Sequence, residues 1–440
     1  MQLFRGGKVP QILIRPAFGD RPRRPLRRAV ATVGAVAALL IPSACSSSDG
    51  SADPSATTAA TAPAGKSVTP EVTAAAKEFL ATLDDSKKDT VSFEWSDDEQ
   101  KKKWSNFPAA LYSRSGLRWG DMSETQQKAW LKIMKVSLST EGYNRVLSEW
   151  DADEALAKQT GQTDQYGKQY YYLAVIGTPS DSSPWMWQWG GHHVTVNATI
   201  ASGVVSVTPS FIGDQPASYT DADGKTVRPL GDIEDEAFAL VDSLDDDQKK
   251  AAVLGDTPID LVLGPGEDGK TIAAEGLALS ELNSDQQAAA LKVIGHYTGL
   301  VDDTDAAIRM NEVRSVLDQT YLAWYGPTTK GSAAYFRFSG PNLVIEYSPQ
   351  GGMAGVPGAG GSLPGGGTPP SGAPQNGGTP PSGAPQNGAG LPNGGTPPSG
   401  APQNGGAAGQ SGGQTSGAST NHIHGVYRDP SNEYGAKYTS

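Results

Sequence analysis

The stretch that decides the fold is Trp185-Met-Trp-Gln-Trp-Gly-Gly-His-His-Val-Thr-Val-Asn-Ala-Thr-Ile-Ala-Ser-Gly-Val-Val-Ser-Val-Thr208. Residues 185–189 and 194–200 alternate in polarity with period two, the pattern of half-buried strands. Gly190-Gly191 separates the two runs. Ala201-Ser202-Gly203 then reads as a hairpin turn into a third strand over 204–208.

Working outward, residues 170–176 are aromatic and β-branched and stop at Gly177-Thr178-Pro179. Residues 334–338 and 343–347 flank Ser339-Gly340-Pro341-Asn342, a second hairpin. Helix starts lie between the strand groups. Ser123-Glu-Thr-Gln126, Asp245-Asp-Asp-Gln248 and Ser284-Asp-Gln-Gln287 each place a capping oxygen three residues before a Gln that can reach back to it. Apolar spacing predicts further helices over 70–83 and 305–317. Strands in hairpins with helices in runs between them imply an α+β fold, with a mainly antiparallel sheet and helices packed on it.

The chain has 440 residues, of which 54 are Gly and 32 Pro, and much of both sits in 351–420. There Gly-Gly-Thr-Pro-Pro-Ser-Gly-Ala-Pro-Gln-Asn occurs at 366–376, 377–387 and 394–404, without apolar positions that could stack. Such a segment buries too little surface to offset its ordering entropy, and the expectation is disorder. The sequence after it is not of low complexity, and 421–440 is expected to return as a strand that completes a main domain of residues 67–350. A loop of some 70 residues costs only about 1.7 kcal/mol more to close than one of ten.

Net charge is −12. Arg5, Lys8, Arg15, Arg21, Arg23, Arg24, Arg27 and Arg28 against Asp20 give 1–28 a charge of +7. The chain after residue 44 therefore carries −19 (−12 − 7). Phosphate backbones are repelled by such a surface, which argues against nucleic acid as a partner. The basic run precedes an apolar run over 29–41 and then Pro42-Ser43-Ala44-Cys45, the plan of an export signal. Residues 1–44 are read as the signal peptide and 45–66 as a Ser/Ala/Thr-rich tether. Cys45 is the one cysteine, and its place resembles that of the lipidated residue of bacterial lipoproteins, although Pro42 departs from that pattern. The expected address is the outer face of the bacterial cytoplasmic membrane through a lipid anchor, or secretion if Cys45 is unmodified.

Four of the five histidines fall in two motifs, His192-His193 and His422-Ile423-His424. On an extended strand, His422 and His424 share a face and can bind one ion. By the same alternation, His193 joins the polar row Thr195, Asn197 and Thr199, while His192 joins Val194 and Val196 and reads as core. Glu346, at the end of an apolar run, needs a partner if buried. The expected metal site is therefore His193, His422, His424 and Glu346, with Glu346 as ligand or general base and Arg428 orienting an anionic group. Such a set would suit Zn, Cu, Fe or Mn. Lack of thiolate ligands fits an open site better than a structural zinc site. The alternative is a hydrogen-bonded polar core, or an anion held with Arg428 and Arg337. His192, Asn197, Trp185, Trp187 and Arg337 are candidate pocket residues, the tryptophans equally readable as core. His296 reads as a packed or capping residue.

Several of these motifs resemble a bacterial and fungal family called domain of unknown function 3500. They include Gly116-Leu117 with Gln126-Gln127, Gly191-His192-His193 with Asn197, Gly340-Pro341 with Glu346-Tyr347, and Asn421-His422-Ile423-His424 with Arg428-Asp429-Pro430. The resemblance covers about 70–350 and 421–440 and implies one domain interrupted by the Gly/Pro insert, with no activity attached. The expected function is a metal-dependent hydrolase or oxidoreductase acting on a small molecule. A non-catalytic ligand-binding lipoprotein and a cell-envelope structural protein are the alternatives.

Overall fold

The computed structural model describes residues 67–351 and 417–439. The expected signal peptide, Cys45, the tether to residue 66 and nearly all of the repeat insert lie outside the described residues. Along the chain come α1 (Thr69–Ala81), α2 (Asp85–Val91), β1 (Ser92–Phe93), α3 (Asp98–Lys101), β2 (Leu117–Arg118), α4 (Glu124–Ser137) and α5 (Thr140–Thr160). Strands β3 (Tyr172–Ile176), β4 (Trp185–Gly190), β5 (Val194–Ala201), β6 (Val204–Ser206) and β7 (Ser210–Asp214) come next. A small hairpin of β8 (Tyr219–Thr220) and β9 (Thr226–Val227) leads to α6 (Gly231–Asp242), α7 (Asp246–Ala252), β10 (Val253–Gly255), β11 (Leu277–Ala278), α8 (Ser284–Thr298) and α9 (Asp303–Arg314). The last elements are β12 (Tyr321–Tyr325), β13 (Tyr335–Gly340), β14 (Leu343–Gly351), β15 (Ala418–Arg428) and α10 (Ala436–Thr439).

The fold is α+β, with a mostly antiparallel mixed sheet whose main path runs β1-β3-β4-β5-β7-β15-β14-β13-β12-β10. β15 lies in the middle, antiparallel to both β7 and β14. Thus the chain does return after the repeat as a strand, although that strand begins at Ala418 rather than 421.

The sheet order reads the same from either edge because the chain contains two copies of one substructure. Each copy has two helices, a short strand parallel to its partner (β1 to β3, β10 to β12), a short antiparallel strand, two further helices and a meander. The sequences agree locally. Leu83-Asp84-Asp85 corresponds to Leu244-Asp245-Asp246, Gly116-Leu117 to Gly276-Leu277, Gln126-Gln127 to Gln286-Gln287, and Tyr172-Leu173-Ala174 to Tyr321-Leu322-Ala323. So do the contacts. Gln126 Nε2 donates to the Thr82 carbonyl, and Gln286 Nε2 to that of Ser243. Register agrees as well, since Gln188 faces Asn197 where Arg337 faces Glu346. The copies join at β7–β15 and at a bridge between Leu138 and Val301.

One sheet face is apolar and carries the helices. Trp187 packs edge-on against Trp130, its Nε1 donates to Ser137 Oγ, and Trp189 packs edge-on against Trp150. Burying a large apolar side chain contributes about 1.5–3 kcal/mol. Trp185 and Trp187 are fully buried here, within the apolar core cluster. The other face is polar and lies under the loops between β1 and β2 and between β10 and β11. Gln188, Asn197, Arg337, Glu346 and Ser348 line it, all buried.

Two expectations need correction. The cap before Gln286 is Asn283, one residue earlier than Ser284. The longest helix, α5, was not expected, because its buried side carries Arg145, Glu149 and Asp153 among its apolar residues and blurs the stripe.

Candidate functional site

β4 ends at Gly190, and residues 191–193 form a bend before β5. Gly191 is required there, since a Cβ would meet the Tyr171 ring at 2.6 Å. The bend cancels strand alternation, so His192 and His193 stack side by side with ring centres 3.6 Å apart instead of facing apart. His192 is therefore no core residue of the Val194 row. Its ring packs near Tyr166, and its Nδ1 lies 2.9 Å from Asp153 Oδ1 on α5. His193 Nδ1 lies 3.5 Å from the same oxygen.

His422 and His424 arrive on β15, with His424 opposite Gly213 of β7 and Ser348 of β14. Gly213 allows close approach at this point, because a Cβ would lie 2.7 Å from the Ile423 carbonyl. Nε2 of His422 sits 3.1 Å from Nε2 of His193 and 2.9 Å from Nε2 of His424. The Asn106 amide, from the loop above, lies 3.1 Å from His424 Nδ1. That loop is held by Trp104, which packs on Phe211 and Val426, and by Arg114, whose Nη2 donates to the carbonyls of Ser105, Phe107 and Gly191.

All four imidazoles are buried. Burial, then the charge of His192, holds His193 down to about 4, with Asp153 opposing. Burial and the neighbouring imidazoles hold His422 and His424 well below the usual histidine range. Burial alone would raise Asp153, but hydrogen bonds from His192 and His193 outweigh it and keep the carboxyl ionised. Near neutral pH, His193, His422 and His424 are neutral and each has one nitrogen lone pair to give.

Hydrogen bonding alone serves this cluster poorly. An imidazole nitrogen either donates or accepts, so His422 Nε2 cannot make one bond of each kind with His193 and His424. Asp153 asks for a proton on Nδ1 of His193, which leaves a bare lone pair on its Nε2. An ion among the Nε2 atoms would accept all three lone pairs, with Asp153 and Asn106 behind as orienting partners. Ligand atoms of His192, His193 and His422 all lie within 4.8 Å of one another, so these residues could hold a metal ion.

The structure brings together His193, His422 and His424, adds His192, and leaves Glu346 and Arg428 outside. Glu346 accepts from the Val262 and Leu263 amides and the Tyr335 hydroxyl, so its oxygens are spent on fixing a loop. Burial raises its pKa, and those same donors oppose the rise. Arg428 donates to the Leu263 and Gly264 carbonyls and pairs with Asp268 and Glu433, so it clamps the same loop. Arg337 pairs with Glu275. Asn197 joins Gln188 and the Pro209 carbonyl. His296 sits on another face, between Glu236 and Glu141; with Glu141 and Asp232 it could also hold an ion, but Arg145 already pairs with both acids.

Asp153 and Asn106 are the site residues that the sequence reading missed. Ser139 three residues before Gly142, then Val146 and Trp150, was the available signal for α5. Nothing local marks Asn106.

The model of the family described as a protein of unknown function (DUF3500) matches residues 65–369. That is more than half of the chain, which therefore belongs to this family. The match ends before β15, so the strand that carries His422 and His424 lies beyond it. No curated protein and no solved structure matches the chain.

Proposed function

We propose that this member of the family is an extracytoplasmic redox metalloenzyme. Its ion is held by His193, His422 and His424, with His192 and Asp153 beside it. The observation that carries the reading is the approach of His422 Nε2 to the Nε2 atoms of two other neutral imidazoles, 3.1 Å to His193 and 2.9 Å to His424. At a metal–nitrogen distance of about 2.1 Å, such separations correspond to angles of roughly 90°. An all-imidazole donor set suits Cu, Fe or Mn as well as Zn.

Redox chemistry is preferred to hydrolysis because a bound ion can acidify water by itself, but passing the proton on to a leaving group calls for a free acid–base group beside it. Glu346, the residue expected to serve, has its oxygens taken, and Asp153 is tied to two imidazoles. An aromatic shell of Tyr166 and Phe211 lowers the local dielectric around the cluster. Export and a lipid anchor at Cys45 complete the proposal and rest on the leader sequence. Among the described residues, no helix is long and apolar enough to cross a membrane.

One observation favours a second reading. The ligands join the bend before β5 to a strand that returns after residues 352–416, so the ion would also pin β15 in place. Metal analysis by mass spectrometry on wild type and His422→Ala/His424→Ala tests the site. Near-stoichiometric metal in wild type, lost in the folded variant, is expected. Absence of metal after exposure to Cu, Fe, Mn and Zn would refute it. If the metal is present but cycling it between oxidation states has no effect beyond melting temperature, the pinning role stands and the redox role falls.

A further inference from the structure

Charge around the imidazoles does not balance once an ion is bound. A divalent ion on neutral imidazoles would place two positive charges among side chains that are between 0% and 6% exposed. Asp153 supplies one negative charge, and among the described residues no other carboxylate pairs with these imidazoles. Arg114 adds a third positive charge. Its Nη2 is anchored to the carbonyl of Gly191, the residue before His192. Its Nη1 is buried and has no hydrogen-bond partner among the described residues, while the guanidinium lies 5.4 Å from the Tyr112 ring centre. Arg428, the cation expected to receive an anion, is committed to the 263–268 loop and to Glu433.

An unpaired buried donor and an uncompensated buried charge are both destabilising. Both penalties have one remedy, an anion between the ion and the guanidinium. Resting on the metal reading of the site, we propose that it binds a small oxyanion, of the monocarboxylate class, on the open side of the ion, with Arg114 Nη1 donating to it. Asn106 and Arg114 sit on the same loop, so the segment that orients His424 also supplies the anion's second contact. Full burial of the imidazoles restricts the ligand to a small one.

The test uses the full chain loaded with Cu(II), after metal content has been measured. A chain that takes up no metal removes the metal reading itself, and this proposal with it. On loaded protein, azide is titrated by its charge-transfer absorption and then displaced with formate. Wild type is expected to bind azide and release it to formate. Arg114→Gln should weaken both anions about tenfold, the loss of one charge-assisted hydrogen bond, and Arg114→Lys should weaken them less. Ammonia, a small neutral ligand for the same open position, should bind wild type and Arg114→Gln alike. Equal azide affinity in wild type and Arg114→Gln would overturn the proposal. So would a loss of azide and ammonia binding in parallel, which marks a collapsed loop, or azide that formate does not displace.

Discussion

The two copies of the substructure share a scaffold and differ in chemistry. Where the first has Trp187-Gln188-Trp189-Gly190-Gly191-His192-His193, the second has Phe336-Arg337-Phe338-Ser339-Gly340-Pro341-Asn342. The cross-strand pair under the loops is neutral in the first copy, Gln188 with Asn197, and charged in the second, Arg337 opposite Glu346. The helix behind the bend runs from Thr140 to Thr160 in the first and only from Asp303 to Arg314 in the second. That extra length is what places Asp153 behind His192 and His193. The proposed ligand set arises from a few replacements on a repeated frame, completed by the last strand of the other copy. The second copy spends its buried charges on holding its loop.

The comparison can be broken most completely by grafting. His192→Pro/His193→Asn gives the first bend the residues of the second. The expected outcome is loss of all bound metal by mass spectrometry, with the circular dichroism spectrum unchanged, because the second copy shows that this frame tolerates Pro-Asn there. Metal retained at full occupancy would mean that the bend is not part of the site.

Acid is the next largest effect. In metal-free protein, His193, His422 and His424 have folded pKa values below the unfolded value. The unfolded chain therefore binds more protons as pH falls, starting near 6.5 and continuing to about 4 for His193. Stability from these groups is present above pH 6.5 and is lost on acidification, by a few kcal/mol in all. Urea titrations between pH 7.5 and 4.5 measure it, and His422→Ala/His424→Ala should show a shallower decline. An unchanged slope would sink the assignment of buried neutral imidazoles.

Glu346→Gln separates the copies in the opposite sense. It should cost about 2 kcal/mol through weaker bonds to Val262, Leu263 and Tyr335, and it should leave metal content unchanged. Loss of metal would return Glu346 to the ligand set. Asp153→Asn should weaken metal affinity by about 10–100-fold, the usual effect of removing an orienting partner, as read by competition with a chelator. The smallest effect is a matched pair. Gln126→Ala and Gln286→Ala remove equivalent capping-box side chains, and each should cost about 1 kcal/mol. A much larger cost in one copy would show that the caps are not equivalent.

How far the sequence could be read divides along the same line. The strands from 170 to 208 and the second hairpin were legible because polarity alternates along them and Gly or Pro ends them. His193, His422 and His424 were legible as partners because histidine is scarce and His-x-His shares a strand face. The pairing of His192 with His193 was not, since alternation applied to a bend assigns the wrong faces. Glu346 and Arg428 looked like site residues for a sound reason, the need of buried charges for partners. Those partners were backbone groups and acids of a loop, which no local pattern announces. Asp153 went unseen because a helix with buried Arg145, Glu149 and Asp153 lacks a clean apolar stripe.

The most direct test is a crystal of the full chain measured on both sides of the absorption edge of its bound metal. The account predicts one anomalous peak about 2 Å from Nε2 of His193, His422 and His424, with no peak at Glu346. Bare imidazoles at hydrogen-bonding distance in a crystal grown with Cu, Fe or Mn, or a peak elsewhere, would contradict it.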